Sequence, residues 1–227
     1  IYEVNLGSWV NGRPAPLTVF GPRGVDEVVE GINASYRQDR IYRVGHHGEA
    51  LLLPALGVLD HKTIEPGVIL DDGQLKITAY VGEHPPIEPA VGYRFDYRGR
   101  SVVISGDSNV SDSTRQITEG ADLLLHDALS LPTLTALSAA LGAAGQTRLA
   151  KIVTDVTDYH ASTESLVELG KQSNVGMIGY YHLVPVPANP IIKAVFMREA
   201  LENFVLTEDL KWFELPIDSD EIIVHRP

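Results

Sequence analysis

A chain of 227 residues with 44% hydrophobic content is long enough for one sizeable core and contains nothing that reads as a linker, so a single domain over 1–227 is expected. Eighteen basic against thirty acidic residues leave a formal net charge of -12; this argues against a nucleic acid or acidic membrane partner, which needs clustered cations, and favours a small-molecule substrate. With no cysteine, disulfides and thiolate ligands are excluded, so any metal must be held by His, Asp or Glu, and either redox compartment suits the chain.

No apolar run approaches membrane-spanning length, and the start at Ile1 shows neither an initiator Met nor a signal-peptide pattern. Ile1 therefore reads as an interior position, and localisation stays open. Ser8 to Pro14 reads as a loop, Leu17 to Phe20 as a short strand, and Gly21-Pro22 as a turn. Val25, Val28, Val29, Ile32 and Tyr36 recur at helical spacing, predicting a helix over about 24–38. Leu75, Ile77, Ala79 and Val81 alternate with Lys76, Thr78 and Tyr80, a half-buried strand that delivers His84. Tyr93 to Tyr97 and Ser101 to Ser105 flank Arg98-Gly99-Arg100 as a hairpin.

Beyond Asp107, Ser111 or Ser113 is the expected N-cap of a short helix, and Ala121 to Leu125 is an apolar strand ending at His126-Asp127. Leu134, Leu137, Ala140 and Leu141 mark one helix, Ser162 caps another, and Val175 to Tyr181 is a strand presenting His182. Asn189-Pro190 is a helix start, with the helix expected to reach about Phe204, and Glu221 to His225 reads as a last strand.

Three strand-like runs thus end in residues able to ligate a metal: His84, Asp107 and His182. An imidazole offers one lone pair and a carboxylate two oxygens, so two His and one Asp could share a pair of divalent ions with the Asp as bridge. His160 sits just before the Ser162 cap, near partly positive backbone N–H groups, where it could protonate a leaving group; Asp158 could orient its ring. His126-Asp127 resembles support behind such a site. His46-His47 and Asp60-His61 have the wrong spacing for a metal-binding loop and are read as outside it.

The sequence resembles the second part of a metallo-beta-lactamase-fold hydrolase, in the branch holding ribonuclease Z and arylsulfatase-like enzymes. The likeness is carried by Glu83-His84-Pro85-Pro86, Gly92 to Phe95, Gly99 to Ser108, Ala121 to Ala128, Asp158 to Ser162 and Tyr181-His182-Leu183, in family order. It implies an α/β fold, a four-layer αββα sandwich with metals at the strand ends and its N-terminal part absent from this chain. It further implies that His84 is a ligand of a first metal, Asp107 the bridge, His182 a ligand of a second, and His160 the histidine that assists charge development. The family's His-x-His-x-Asp-His run does not occur in these residues and is expected just upstream of Trp9. Ser108, Asp127 and Ala161 stand where the family more often has Thr, Glu and a hydroxyl residue.

The resulting expectation is hydrolysis of a small sulfate, phosphate or carboxylic ester by a hydroxide bound to two divalent metal ions, with zinc as the expected metal. A homodimer is expected by family analogy alone. The alternatives are a catalytically silent module of the same fold used for binding or oligomerisation, lactonase or beta-lactamase-like chemistry, and a ribonuclease Z-like phosphodiesterase. The last is disfavoured at this stage because such members carry a binding arm between the positions of His84 and Asp107, and here that interval holds only a hairpin.

Overall fold

A computed structural model describes residues 1–226, which form two compact units, 1–65 and 66–226. The first unit contains α1 (Tyr2–Val10), β1 (Leu17–Gly21), α2 (Val25–Ser35), α3 (Arg37–His47) and β2 (Leu59–Thr63). Strands β1 and β2 pair in parallel, and Val25, Val29 and Leu59 form a small core with Leu17, Val19 and Ile32. The loop expected over Ser8 to Pro14 is helical up to Val10 and a loop from Asn11 to Pro14. Asn5 and Trp9, four residues apart on one face, are both buried: Asn5 Nδ2 donates to the Gly57 carbonyl at 2.8 Å and Trp9 Nε1 to that of Leu53 at 3.1 Å. Docking of that face, rather than helix propensity, decides the conformation of a Gly- and Ser-containing segment. The helix expected over 24–38 is interrupted at Tyr36 between α2 and α3, where Arg40 Nη2 donates to the Asn33 carbonyl at 2.7 Å and so satisfies an end of α2.

The second unit is built on a seven-stranded sheet. Its strands are β3 (Gly67–Asp71), β4 (Leu75–His84), β5 (Ile87–Tyr97), β6 (Arg100–Ile104), β7 (Leu123–Leu129), β8 (Met177–Val184) and β9 (Phe204–Leu206), in that spatial order. From β3 to β6 the pairings are antiparallel; from β6 to β9 they are parallel, with helices in the crossovers. The helices are α4 (Asp112–Thr118), α5 (Leu131–Ala143), α6 (Thr147–Asp155), α7 (Thr163–Gln172) and α8 (Pro190–Phe196). A final antiparallel pair joins β10 (Trp212–Glu214) to β11 (Ile223–His225). The main core lies between sheet and helices, with Val103, Leu124, Leu166, Leu169, Ile178, Tyr180 and Phe196 all nearly inaccessible.

Local signals place these helices well. Ser111 closes a capping box with Thr114, Ser162 Oγ accepts from the Ser165 N–H at 3.1 Å, and Asn189 Oδ1 accepts from the Ile192 N–H at 3.0 Å. Helix α8, however, stops at Phe196 rather than near Phe204. Phe204 is instead drawn into β9 beside Ile178, where its ring meets that of Tyr180 edge-on with centroids 5.5 Å apart.

Strand direction positions the site. Because β5 runs against both β4 and β6, the carboxyl ends of β4, β6, β7 and β8 all reach the same edge of the sheet.

Candidate metal centre

Each candidate residue is delivered to that edge by a local break in the ladder. His84 ends β4 next to the turn into β5, after a register irregularity between Gly82 and His84. Asp107 follows Gly106, whose φ of +68° suits a residue without a side chain; a Cβ there would lie 3.0 Å from the Val91 carbonyl oxygen. His182 sits in a bulge of β8: Asp127 pairs with Tyr181 and Ala128 with Leu183, leaving His182 as the extra residue, with φ +42°. His160 precedes the N-cap of α7.

These four side chains converge. Ligand-capable atoms of His84, Asp107 and His160 lie within 4.8 Å of one another, and His182 Nε2 lies 3.5 Å from Asp107 Oδ2. The rings of His84 and His160 are 5.6 Å apart and those of His160 and His182 5.4 Å. Asp107 is central and half exposed, with two oxygens to offer. His84 Nδ1 is buried without a hydrogen-bond partner, a cost that a nearby cation or bound molecule would relieve. A set of imidazole nitrogens and a carboxylate with no sulfur fits a borderline divalent ion.

Behind the cluster lies a buried carboxylate. Asp127 is inaccessible, and its Oδ2 accepts from His160 Nδ1 at 2.9 Å and from the Ala161 N–H at 3.2 Å. Its Oδ1 takes His126 Nδ1 at 2.9 Å and the Ser108 N–H at 3.1 Å. Burial pushes this carboxyl up, but hydrogen bonds from His126 and His160 outweigh it and hold the group below the usual carboxylate range. An ionised Asp127 only accepts, so the Nδ1 of His160 carries the proton and Nε2 is the nitrogen left free.

Asp158 does not orient the His160 ring: Asp127 does. Asp158 is instead engaged through its backbone carbonyl, which accepts from Asn109 Nδ2 at 2.8 Å. Sequence spacing favoured the nearer carboxylate because adjacency along the chain is visible, whereas the pairing of β7 with the segment before α7 is a tertiary contact. His46, His47 and His61 lie in α3 and β2 of the first unit.

The fold resembles that of metallo-beta-lactamase fold protein YhfI from Bacillus subtilis, with a TM-score of 0.55 over 90% of this chain and 67% of that one at 14% identity. A diphosphatase from the PhnP family gives a TM-score of 0.53 over 91% of this chain and 62% of that chain at 12% identity. No family model matches the sequence. Curated relatives are more decisive: a protein assigned to ribonuclease Z in Mycobacterium tuberculosis (strain CDC 1551 / Oshkosh) is 31% identical over 186 residues, covering 81% of this chain and 77% of its own.

The chain belongs to the ribonuclease Z branch of the metallo-beta-lactamase-fold hydrolases. A second ribonuclease Z, from strain H37Rv of the same species, is also 31% identical over 186 residues, and there the match spans 63% of the relative's length. The mixed seven-stranded sheet flanked by helices matches the α/β fold expected from the resemblance.

Membership of the ribonuclease Z branch overturns the expectation that nucleic acid is an unlikely partner and a small-molecule ester the favoured substrate, since the relatives are ribonucleases by name. The physical error lies in the net charge. A sum of -12 averages the whole surface and does not fix the field at any one site on it. Membership of this family also implies metal ions, and the cluster of His84, Asp107 and His160 is the candidate place for them.

Proposed function

We propose that the protein is a metal-dependent phosphodiesterase acting on RNA, with His84, Asp107 and His182 holding two divalent ions and His160 serving the leaving group. The observation that carries this reading is the convergence of four side chains from four separate segments on one edge of the sheet, in a chain 31% identical to ribonuclease Z relatives. Zinc is the metal best matched to imidazole and carboxylate donors without sulfur. Bound there, such ions supply Lewis-acid polarisation of a phosphoryl oxygen and a nucleophile at neutral pH.

Residues of this chain carry three roles at the site. Asp107 is the residue able to serve both ions, because it has two oxygens, groups with His84 and His160 within 4.8 Å and places Oδ2 3.5 Å from His182 Nε2. His160, its Nδ1 proton committed to Asp127, donates from Nε2 to the departing oxygen as the imidazolium, the form that the buried carboxylate stabilises. Tyr159, whose ring packs 4.7 Å from that of His84 and 5.0 Å from that of His160, shields this part of the cluster from water.

A second reading has its own observation. His160, not His182, completes the group whose ligand atoms fall within 4.8 Å, and a His that donates its other N–H to a carboxylate is typical of metal ligands. The zinc content of a His160→Asn variant separates the two: it is unchanged if His160 serves the leaving group and falls if His160 is a ligand.

The test of function is cleavage of a structured RNA carrying a 3′ extension, with zinc and after chelation. Discrete cleavage that chelator abolishes and zinc restores is expected. Bound zinc without cleavage of this RNA or of bis(p-nitrophenyl) phosphate would overturn the reading in favour of the silent module.

A further inference from the structure

We infer that Asn109 is a positioning residue that ties together the three loops carrying His84, Asp107 and His160, its side chain setting the placement of His160. This rests on the function proposed above. Asn109 lies two residues after Asp107 and is half-buried. Its backbone N–H donates to the Glu83 carbonyl at 2.8 Å, adjoining His84, and its Nδ2 donates to the Asp158 carbonyl at 2.8 Å, two residues before His160. Its own carbonyl accepts from Ser108 Oγ at 2.8 Å, and that hydroxyl in turn accepts from the Glu83 N–H at 2.9 Å. One residue therefore bonds to the loops on both sides of its own.

The two halves of this junction differ in kind. The bridge between Glu83 and Asn109 is made by backbone, so any residue but proline at 109 retains it. The link to Asp158 is made only by the amide side chain, across 49 positions of sequence. The segment it fixes, 158–160, carries the Tyr159 ring against His84 and the His160 imidazole into the cluster. Asp127 anchors the ring of His160 from behind, and Asn109 anchors the backbone ahead of it. Losing the amide leaves the segment held from the β7 side, by the Asp127 bonds to the His160 ring and the Ala161 N–H and by the Leu129 N–H bond to the Ala161 carbonyl, and misplacement of a proton donor by about 1 Å is enough to cost up to about 100-fold in rate.

The test compares wild type, Asn109→Ala and Asn109→Gln, the last retaining the donor. Zinc content, kcat and KM on the 3′-extended RNA, and amide hydrogen exchange at residues 159–161 in metal-free protein are measured together. Expected for Asn109→Ala are unchanged zinc content and KM, kcat reduced by at least about ten-fold, faster exchange at 159–161, and partial recovery of both in Asn109→Gln. Wild-type exchange and kcat in Asn109→Ala, or a loss of kcat that follows lost zinc, would overturn the inference. If wild type itself cleaves no RNA, the functional reading falls, and exchange alone decides: faster exchange at 159–161 upholds the placement role and unchanged exchange removes it. Should the alanine variant fail to fold, Asn109→Ser keeps a polar group too short to reach Asp158 and is measured in its place.

Discussion

Asp127 and His160, 33 residues apart in sequence, share a 2.9 Å hydrogen bond in which the carboxylate is inaccessible and the imidazole nearly so. The pair fixes which ring nitrogen faces the cluster. In Asp127→Asn the amide keeps the volume but presents an N–H where an acceptor is needed, either to His160 or to His126 and Ser108. Activity on RNA is expected to fall by about 100-fold or more, and stability by about 1–3 kcal/mol, as measured by steady-state kinetics and denaturant unfolding. Activity within a few-fold of wild type would refute the orienting role.

The pH dependence of that stability has a definite sign. A carboxyl held below its unfolded pKa of about 3.9 adds stability that is complete above that value and is lost as pH falls through the folded pKa. The difference in stability between wild type and Asp127→Asn is therefore expected to be level from neutral pH to about pH 5 and to shrink below about pH 4. Denaturant titrations at several pH values check it; a difference that grows on acidification contradicts the assignment.

Gly106 turns the chain so that Asp107 leaves the sheet edge. Ala at this position meets both an unfavourable φ of +68° and the Val91 carbonyl at 3.0 Å. Gly106→Ala is expected to lose about 1–2 kcal/mol and, by displacing Asp107, to weaken metal binding more than the stability loss alone explains. Competition with a chromogenic chelator measures the second effect; full affinity with reduced stability would show that Asp107 tolerates the shift.

Removing a proposed ligand should act on metal before it acts on fold. Both Asp107 and His182 are about half exposed, so Asp107→Ala and His182→Ala are expected to retain the far-ultraviolet circular dichroism of wild type while losing bound zinc. Elemental analysis after dialysis is the readout, and an undiminished zinc content in both variants would move the site elsewhere.

Phe204 tests the main core. It is buried against Tyr180, and the absence of a side chain at Gly170 leaves room for its ring. Phe204→Ala is expected to cost about 3–5 kcal/mol with zinc content maintained, as measured by thermal unfolding and metal analysis.

Much of the second unit could be read along the chain, because its signals are local. The alternation from Leu75 to Val81, the Ser111 and Ser162 caps and the Asn189-Pro190 start each act within one turn or one strand, and the order of the motifs around His84, Asp107 and His182 points to the family. What the linear order could not contain is the pairing across distance. Burial of Asn5 and Trp9 carries a helix into the first residues of the loop expected from Ser8, and the edge of the sheet takes Phe204 from the end of α8. Parallel pairing of β7 with its neighbours brings Asp127, rather than the adjacent Asp158, to His160. Periodicity and capping are set by neighbours in sequence, whereas a buried carboxylate takes whichever donor the packed fold brings within hydrogen-bond distance.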